Sequence, residues 1–174
     1  MKYSAIKYFD IANGPGVRTT LFVSGCTHHC KGCFNQETWD FNHGEEFTKE
    51  IEDEIIKSME PDYVKGLTLL GGEPMEKVNQ AGLVNFVKRV HEVYPNKSIW
   101  CFTGYLYEEL LEGGKQRTEY TQELLNCFDV IVDGEFIEEQ KNLMLMFKGS
   151  SNQRTIDVQE SLKQNKIVIR ELKR

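Results

Sequence analysis

The sequence predicts an α/β fold with a mostly parallel sheet that stops short of closing. Short apolar runs alternate with segments of helical periodicity, the pattern of βαβ units. Three of those runs stop at glycine, where a strand gives way to a loop: 20–24 before Gly25, 67–70 before Gly71-Gly72, and 128–132 before Asp133-Gly134. The length, 174 residues, suffices for one core. It falls short of the roughly 200 to 250 residues that a closed eight-stranded α/β barrel takes.

In chain order, 20–24 (TLFVS) is apolar and β-prone and runs directly into a cluster of cysteines. Thr48 is placed to cap a helix ending near Met59. Ile51, Ile55, Ile56 and Met59 fall on one face of it and Glu50, Glu52, Asp53 and Glu54 mostly on the other. The run 67–70 (LTLL) reads as a buried strand. Over 78–94, Leu83, Val87, Val90 and Tyr94 recur at helical spacing until Pro95 ends the pattern. The runs 98–103 (SIWCFT) and 128–132 (FDVIV) read as the third and fourth strands. Between them lie a short helix over 107–112, a Gly113-Gly114 turn and a second helix around 120–126, and 167–169 forms a last strand near a basic end. In such sheets ligands collect at the carboxyl ends of the strands. The cysteine cluster and Gly71-Gly72 are therefore expected to open on the same side.

Composition narrows the function. The chain is 40% hydrophobic and 28% charged, as expected for one soluble domain over 1–174 with no linker, repeat or low-complexity tract. Its formal charge of -6 opposes generic nucleic-acid binding, which neutralises phosphates. No window approaches the roughly 18 apolar residues of a membrane span, and the N-terminal stretch lacks a signal peptide's apolar core. The expected compartment is the cytoplasm, where thiols stay reduced and five cysteines are better read as ligands, catalytic groups or core residues than as disulfides. Cys101 and Cys127 stand alone in apolar segments and are expected to pack as small apolar side chains.

Cys26, Cys30 and Cys33 form a CxxxCxxC set on one strand-end loop. Three thiolates at this spacing can converge on one metal centre if the loop curls around it. A 4Fe-4S cluster held by three thiolates keeps one iron open to an exogenous ligand, since such clusters ordinarily take four. The same spacing admits a Cys3His zinc site with His28 or His29 as the fourth ligand, or three unconnected thiols.

The stretch FVSGCTHHCKGCFNQETWD (22–40) resembles the cluster loop of radical S-adenosylmethionine enzymes, specifically the activating proteins of anaerobic ribonucleoside-triphosphate reductases. Similar segments follow the family order: DIANGPGVR (10–18), GGEP (71–74), WCFTGY (100–105), VDGEF (132–136) and KGSSNQRTIDV (148–158). The resemblance implies an incomplete, TIM-like βα barrel. It implies that Cys26, Cys30 and Cys33 bind three irons of a 4Fe-4S cluster whose fourth iron is chelated by S-adenosylmethionine, with Gly32, Cys33 and Phe34 near the adenine. Gly71, Gly72 and Glu73 then help hold the methionyl end, Glu73 either by its charge or by fixing the turn. It also implies a glycyl radical made on the reductase and an electron from reduced flavodoxin or a similar donor. Activation of another glycyl-radical enzyme, of the pyruvate formate-lyase type, is the neighbouring alternative. A zinc-binding interaction module and a simple electron carrier are competitors from other classes.

The remaining motifs have plain structural readings beside functional ones. Asn13-Gly14-Pro15-Gly16 is a turn by composition and Arg18 reads as a surface charge, while the family resemblance implies that this region lies near the active-site mouth; 149–154 reads as a lid, a partner contact or an ordinary loop. Asp133 either faces the cofactor or caps a helix. Lys163, Lys166, Arg170, Lys173 and Arg174 make a modest basic patch.

Overall fold

The computed structural model describes residues 1–173; Arg174, the last member of the expected basic patch, lies outside them. In chain order the elements are β1 (Lys2–Asp10), β2 (Val17–Val23), β3 (Glu45–Glu46), α1 (Lys49–Ser58), β4 (Val64–Gly71), α2 (Lys77–Val93), β5 (Ser98–Phe102), α3 (Tyr107–Leu110), α4 (Thr121–Cys127), β6 (Val130–Asp133), β7 (Arg154–Asp157) and α5 (Val158–Gln164). Among the described residues the strands form one sheet in the order β3-β1-β2-β4-β5-β6-β7. The four central strands β2, β4, β5 and β6 run parallel. β1 and β7 pair antiparallel with β2 and β6 at either side. The expected mostly parallel α/β sheet is therefore present, and it is open. A TIM-like barrel has parallel strands throughout, so the strand pairing supports the coarser description.

Side chains alternate across the sheet, as the pleat requires. One face carries Leu21, Val23, Leu67, Leu69, Ile99, Cys101 and Ile131, buried against Ile55 of α1 and Met59 just after it, Leu83, Phe86, Val87 and Val90 of α2, and Leu124 and Leu125 of α4. Cys101 and Cys127 belong to this cluster, as expected. Thr48 caps α1, its Oγ1 accepting from Ile51 N. Trp100, Val130 and Val132 lie on the other face with Phe102, Phe147 and Leu172. The stretch 167–169 forms only an isolated bridge, Ile156 to Ile169, rather than a strand. No helix of the described residues is long and apolar enough to cross a membrane.

The first turn and Arg18 depart from the sequence reading. Arg18 is fully buried, and each of its five N–H groups has an acceptor. Nε donates to Thr68 Oγ1 at 2.8 Å, Nη1 to Pro15 O at 3.1 Å and Ser98 Oγ at 2.9 Å, and Nη2 to Leu67 O and Ser98 O, both at 2.9 Å. A buried charge is tolerated only when so satisfied. Burial still pulls the guanidinium down to about 10, against the opposing charges of Asp129 and Asp10. Gly66 makes the room, because a Cβ there would sit 2.7 Å from Nη2. Gly14, at φ +130, lies where a Cβ would meet Arg18 Cδ at 2.8 Å. The Asn13-Gly14-Pro15-Gly16 turn is thus the cover of a buried arginine. Asp10 fixes its start by accepting from Ala12 N, Asn13 Nδ2 and Thr20 Oγ1.

Replacing Arg18 by Lys keeps the charge but supplies three donors for five bonds. Arg18→Lys is expected to cost the metal-free protein about 1–3 kcal/mol, the penalty for stranded buried acceptors. Urea unfolding under anaerobic conditions measures it, and an unchanged midpoint would contradict this account of the turn.

Candidate functional site

The carboxyl ends of the parallel strands lie at one edge, Val23 of β2 paired with Gly71 of β4 and Phe102 of β5 with Val132 of β6. The cysteine loop leaves β2 at Gly25 and returns to it: Gly25 N donates to Thr38 O at 2.7 Å and Cys26 N to Trp39 O at 3.2 Å. Gly25, at φ +103, leaves space that the Phe41 ring fills. Inside the loop, Cys33 N donates to Cys30 O at 3.1 Å, and the ring of His29 stacks on Trp39, centroids 4.3 Å apart.

The glycine pair is packed backbone to backbone against this loop. Gly72 N donates to Val23 O and Glu73 N to Gly25 O, both at 2.8 Å. A Cβ on Gly71 would lie 2.6 Å from Val23 N and O, and one on Gly72 2.6 Å from Gly25 O. Both expected binding loops therefore open on the same side and touch. The sequence reading anticipated close approach by a ligand, whereas the close approach seen is that of the neighbouring loop.

Glu73 joins three strand ends. Its side chain is 1% exposed, and Oε2 accepts from Met75 N at 2.8 Å and Thr103 Oγ1 at 2.7 Å. Oε1 accepts from Gly104 N at 2.6 Å and pairs with His28 Nε2 at 2.8 Å. His28 Nδ1 lies 2.8 Å from Glu135 Oε1. Burial alone would pull the imidazole down. The hydrogen bonds and charge of Glu73, then those of Glu135, outweigh it and hold the ring up at about 9, so at neutral pH it donates from both nitrogens. Glu76 does similar work one turn on, accepting from Thr27 N, Thr27 Oγ1 and Tyr105 OH. Both ring nitrogens of His28 are engaged in the bonds to Glu73 and Glu135.

All three cysteines line one cavity of about 570 Å³, together with Phe34, Gly71, Gly72 and Glu73. Gly32 is exposed at φ +77 in the turn just before and is not on the cavity wall. Phe34 is 70% exposed at the rim, with Lys141 Nζ 5.0 Å from its ring centre. Burial pushes the Cys26 thiol up to about 12, with a further push from the charge of Glu73, and burial raises Cys30 as well. Without a metal these thiols are protonated, so ligation has to displace their protons. Among the described residues no group of three His, Cys, Asp or Glu side chains is gathered as for a single metal ion. Three thiols on the wall of one cavity supply the kind of donor a 4Fe-4S cluster takes.

Other singled-out residues brace this edge. Asp133 is buried, accepting from Tyr107 N at 2.8 Å and Arg154 Nε at 3.0 Å, so it caps α3. Within 149–154, Gln153 Oε1 accepts from Gly149 N and Ser150 N while Nε2 donates to Gly134 O. Asn152 Nδ2 donates to Glu135 O. The segment is a clamp on the end of β6, with Gly149 and Gln153 on the cavity wall. The sequence reading gave no role to Thr27, Glu76, Thr103, Gly104, Tyr105 or Glu135. Four of these lie in the WCFTGY and VDGEF segments, which were signals without an assignment, and Glu76 stands at the N-terminus of α2, where a helix-start signal was available.

A cysteine loop at the strand ends of a mostly parallel sheet, bordering a cavity, defines an α/β protein with a thiol-lined site. The family described as a 4Fe-4S single cluster domain matches residues 12–156. The chain is 44% identical over 155 residues to the anaerobic ribonucleoside-triphosphate reductase-activating protein of Vibrio cholerae serotype O1, covering 88% of this chain and 96% of that one. It is 41% identical over 155 residues to the protein of that name from Escherichia coli K12, at the same coverage. Identity to the phage T4 protein is 38% over 156 residues, covering 88% and 92%. The chain belongs to the family of anaerobic ribonucleoside-triphosphate reductase-activating proteins.

Glu73→Gln exchanges one accepting oxygen for an NH2 group that faces two donors. It is expected to destabilise the metal-free protein by about 1–3 kcal/mol, lowering Tm by several degrees in a chain of this size. Anaerobic thermal unfolding measures it, and an unchanged Tm would show that the carboxylate does not hold the strand ends.

Proposed function

We propose that this protein activates the anaerobic ribonucleoside-triphosphate reductase by radical S-adenosylmethionine chemistry. In this reading Cys26, Cys30 and Cys33 ligate three irons of a 4Fe-4S cluster and leave the fourth to the amine and carboxylate of S-adenosylmethionine. When bound, the cluster would supply the one-electron reduction of S-adenosylmethionine that leads to methionine, 5'-deoxyadenosine and a hydrogen atom taken from a glycine Cα of the reductase. The protein's own residues orient and enclose. The Gly71-Gly72-Glu73 turn offers backbone carbonyls to the methionyl ammonium, Glu73 acting through the turn it fixes. Cys33 and Phe34 border the adenine, with Gly32 in the turn just before them, and the strand-end walls enclose one side of the reacting bond.

The observation that carries the reading is the meeting of the three-cysteine loop and the glycine turn on one cavity wall. Family membership supports the reductase over other glycyl-radical enzymes as target. The reading includes a partial TIM-like wall formed by β2, β4, β5 and β6, a chain acting as one domain over 1–174, and a cytoplasmic setting without nucleic-acid or membrane partners. Reduced flavodoxin or a similar donor supplies the electron.

Anaerobic reconstitution is expected to load about four irons per chain. With a reductant, S-adenosylmethionine and the reductase, a glycyl radical should appear by electron paramagnetic resonance. Cys26→Ala, Cys30→Ala and Cys33→Ala should each reduce the radical to background. Stoichiometric zinc without iron, or no radical on a competent reductase, would overturn the proposal.

A further inference from the structure

The middle of the cysteine loop is held almost entirely by side chains, and His28 makes the most connections. It stands between Cys26 and Cys30 with its side chain only 8% exposed. Nε2 reaches Glu73 after β4 and Nδ1 reaches Glu135 after β6, each at 2.8 Å. After β5, Gly104 leaves the space the ring occupies, since a Cβ there would sit 2.7 Å from it, and the Tyr105 ring packs at 4.4 Å between centroids. One imidazole thus ties the loop that follows β2 to the ends of the other three parallel strands. Within the loop itself, the Cys33 N to Cys30 O bond is the backbone restraint found among residues 27–33.

We infer that His28 is a positioning residue for the cluster: its bridge between Glu73 and Glu135 holds the cysteine loop in the cluster-binding shape before the cluster arrives. This rests on the reading that Cys26, Cys30 and Cys33 ligate the cluster. The physical reason is pre-organisation. An unbridged loop between the first two ligands has to be ordered as the cluster binds, and the same freedom lets ligands detach afterwards. Glu135 is the accessible half of the bridge, its side chain 54% exposed, so it can be changed without opening the core. Glu73 has three further donors to satisfy and would confound the test.

The test compares His28→Leu, Glu135→Ala and Glu135→Gln with the parent, all reconstituted anaerobically without S-adenosylmethionine. Iron release to a chelator gives retention, the spectrum of the reduced cluster gives its geometry, and thermal unfolding of the metal-free proteins gives the fold. His28→Leu and Glu135→Ala should release iron about 10- to 100-fold faster, the loss of affinity typical of outer-shell substitutions at metal sites appearing as faster release, with an altered spectrum. Glu135→Gln keeps an acceptor for Nδ1–H and should restore both. The metal-free Glu135→Ala protein should stay folded, its unfolding temperature lowered by no more than the few degrees that losing one half-exposed bridge costs. A parent that loads normally, with His28→Leu and Glu135→Ala matching its retention and spectrum, overturns this inference alone, as does a Glu135→Gln protein no better than Glu135→Ala. A parent that takes up no cluster overturns the functional reading with it.

Discussion

Burying a carboxylate is costly unless its oxygens are met by donors, and the donors of Glu73 come from segments that the sequence scatters from His28 to Gly104. Withdrawing any one of the loops after β2, β4 or β5 leaves a buried charge short of a partner, so the three strand ends are fixed together. The glycine pair adds a steric condition, because Gly71 and Gly72 lie too close to Val23 and Gly25 for any side chain. The opposite edge of the sheet is fixed by a charge of the other sign, the Arg18 guanidinium with its five acceptors. The two buried ions set the frame within which the cysteine loop is suspended.

From that frame the chemistry follows by position. The thiols, the glycine turn and the rim residue Phe34 share one cavity, and the 149–154 clamp braces the wall at the end of β6. The sheet does not close, and Phe34 stays largely exposed. On the proposed function this openness suits a substrate that is itself a protein, because the partner can supply the missing wall and exclude water only when the target glycine is in place.

Much of this was legible in the sequence because local physics dominates there. The central strands and the helices α1 and α2 sit within a few residues of where apolar periodicity, the Thr48 cap and Pro95 put them, and the two strand-end loops open on one side as the βαβ pattern implies. β1 was missed because its outer positions are exposed and mix Lys7, Tyr8 and Phe9, which blurs the alternation. β7 and α5 were missed because each is short and the motif before them reads as loop. Arg18 and Glu73 mark the limit of sequence reasoning. A charged residue looks the same in a sequence whether it is solvated or buried, and only the tertiary arrangement supplied the acceptors and donors that make burial tolerable. In the sequence His28 reads as a candidate fourth zinc ligand or a loop residue, because its bridging role depends on Glu135, far away in the chain.

The central claim is that three cysteines on this frame hold a cluster with one iron left for S-adenosylmethionine. Mössbauer spectroscopy of protein reconstituted with iron-57 tests it most directly, because it reports the coordination of each iron separately. The account predicts that adding S-adenosylmethionine shifts the signal of a single iron and leaves the other three as they were. Four irons unmoved by S-adenosylmethionine would contradict it.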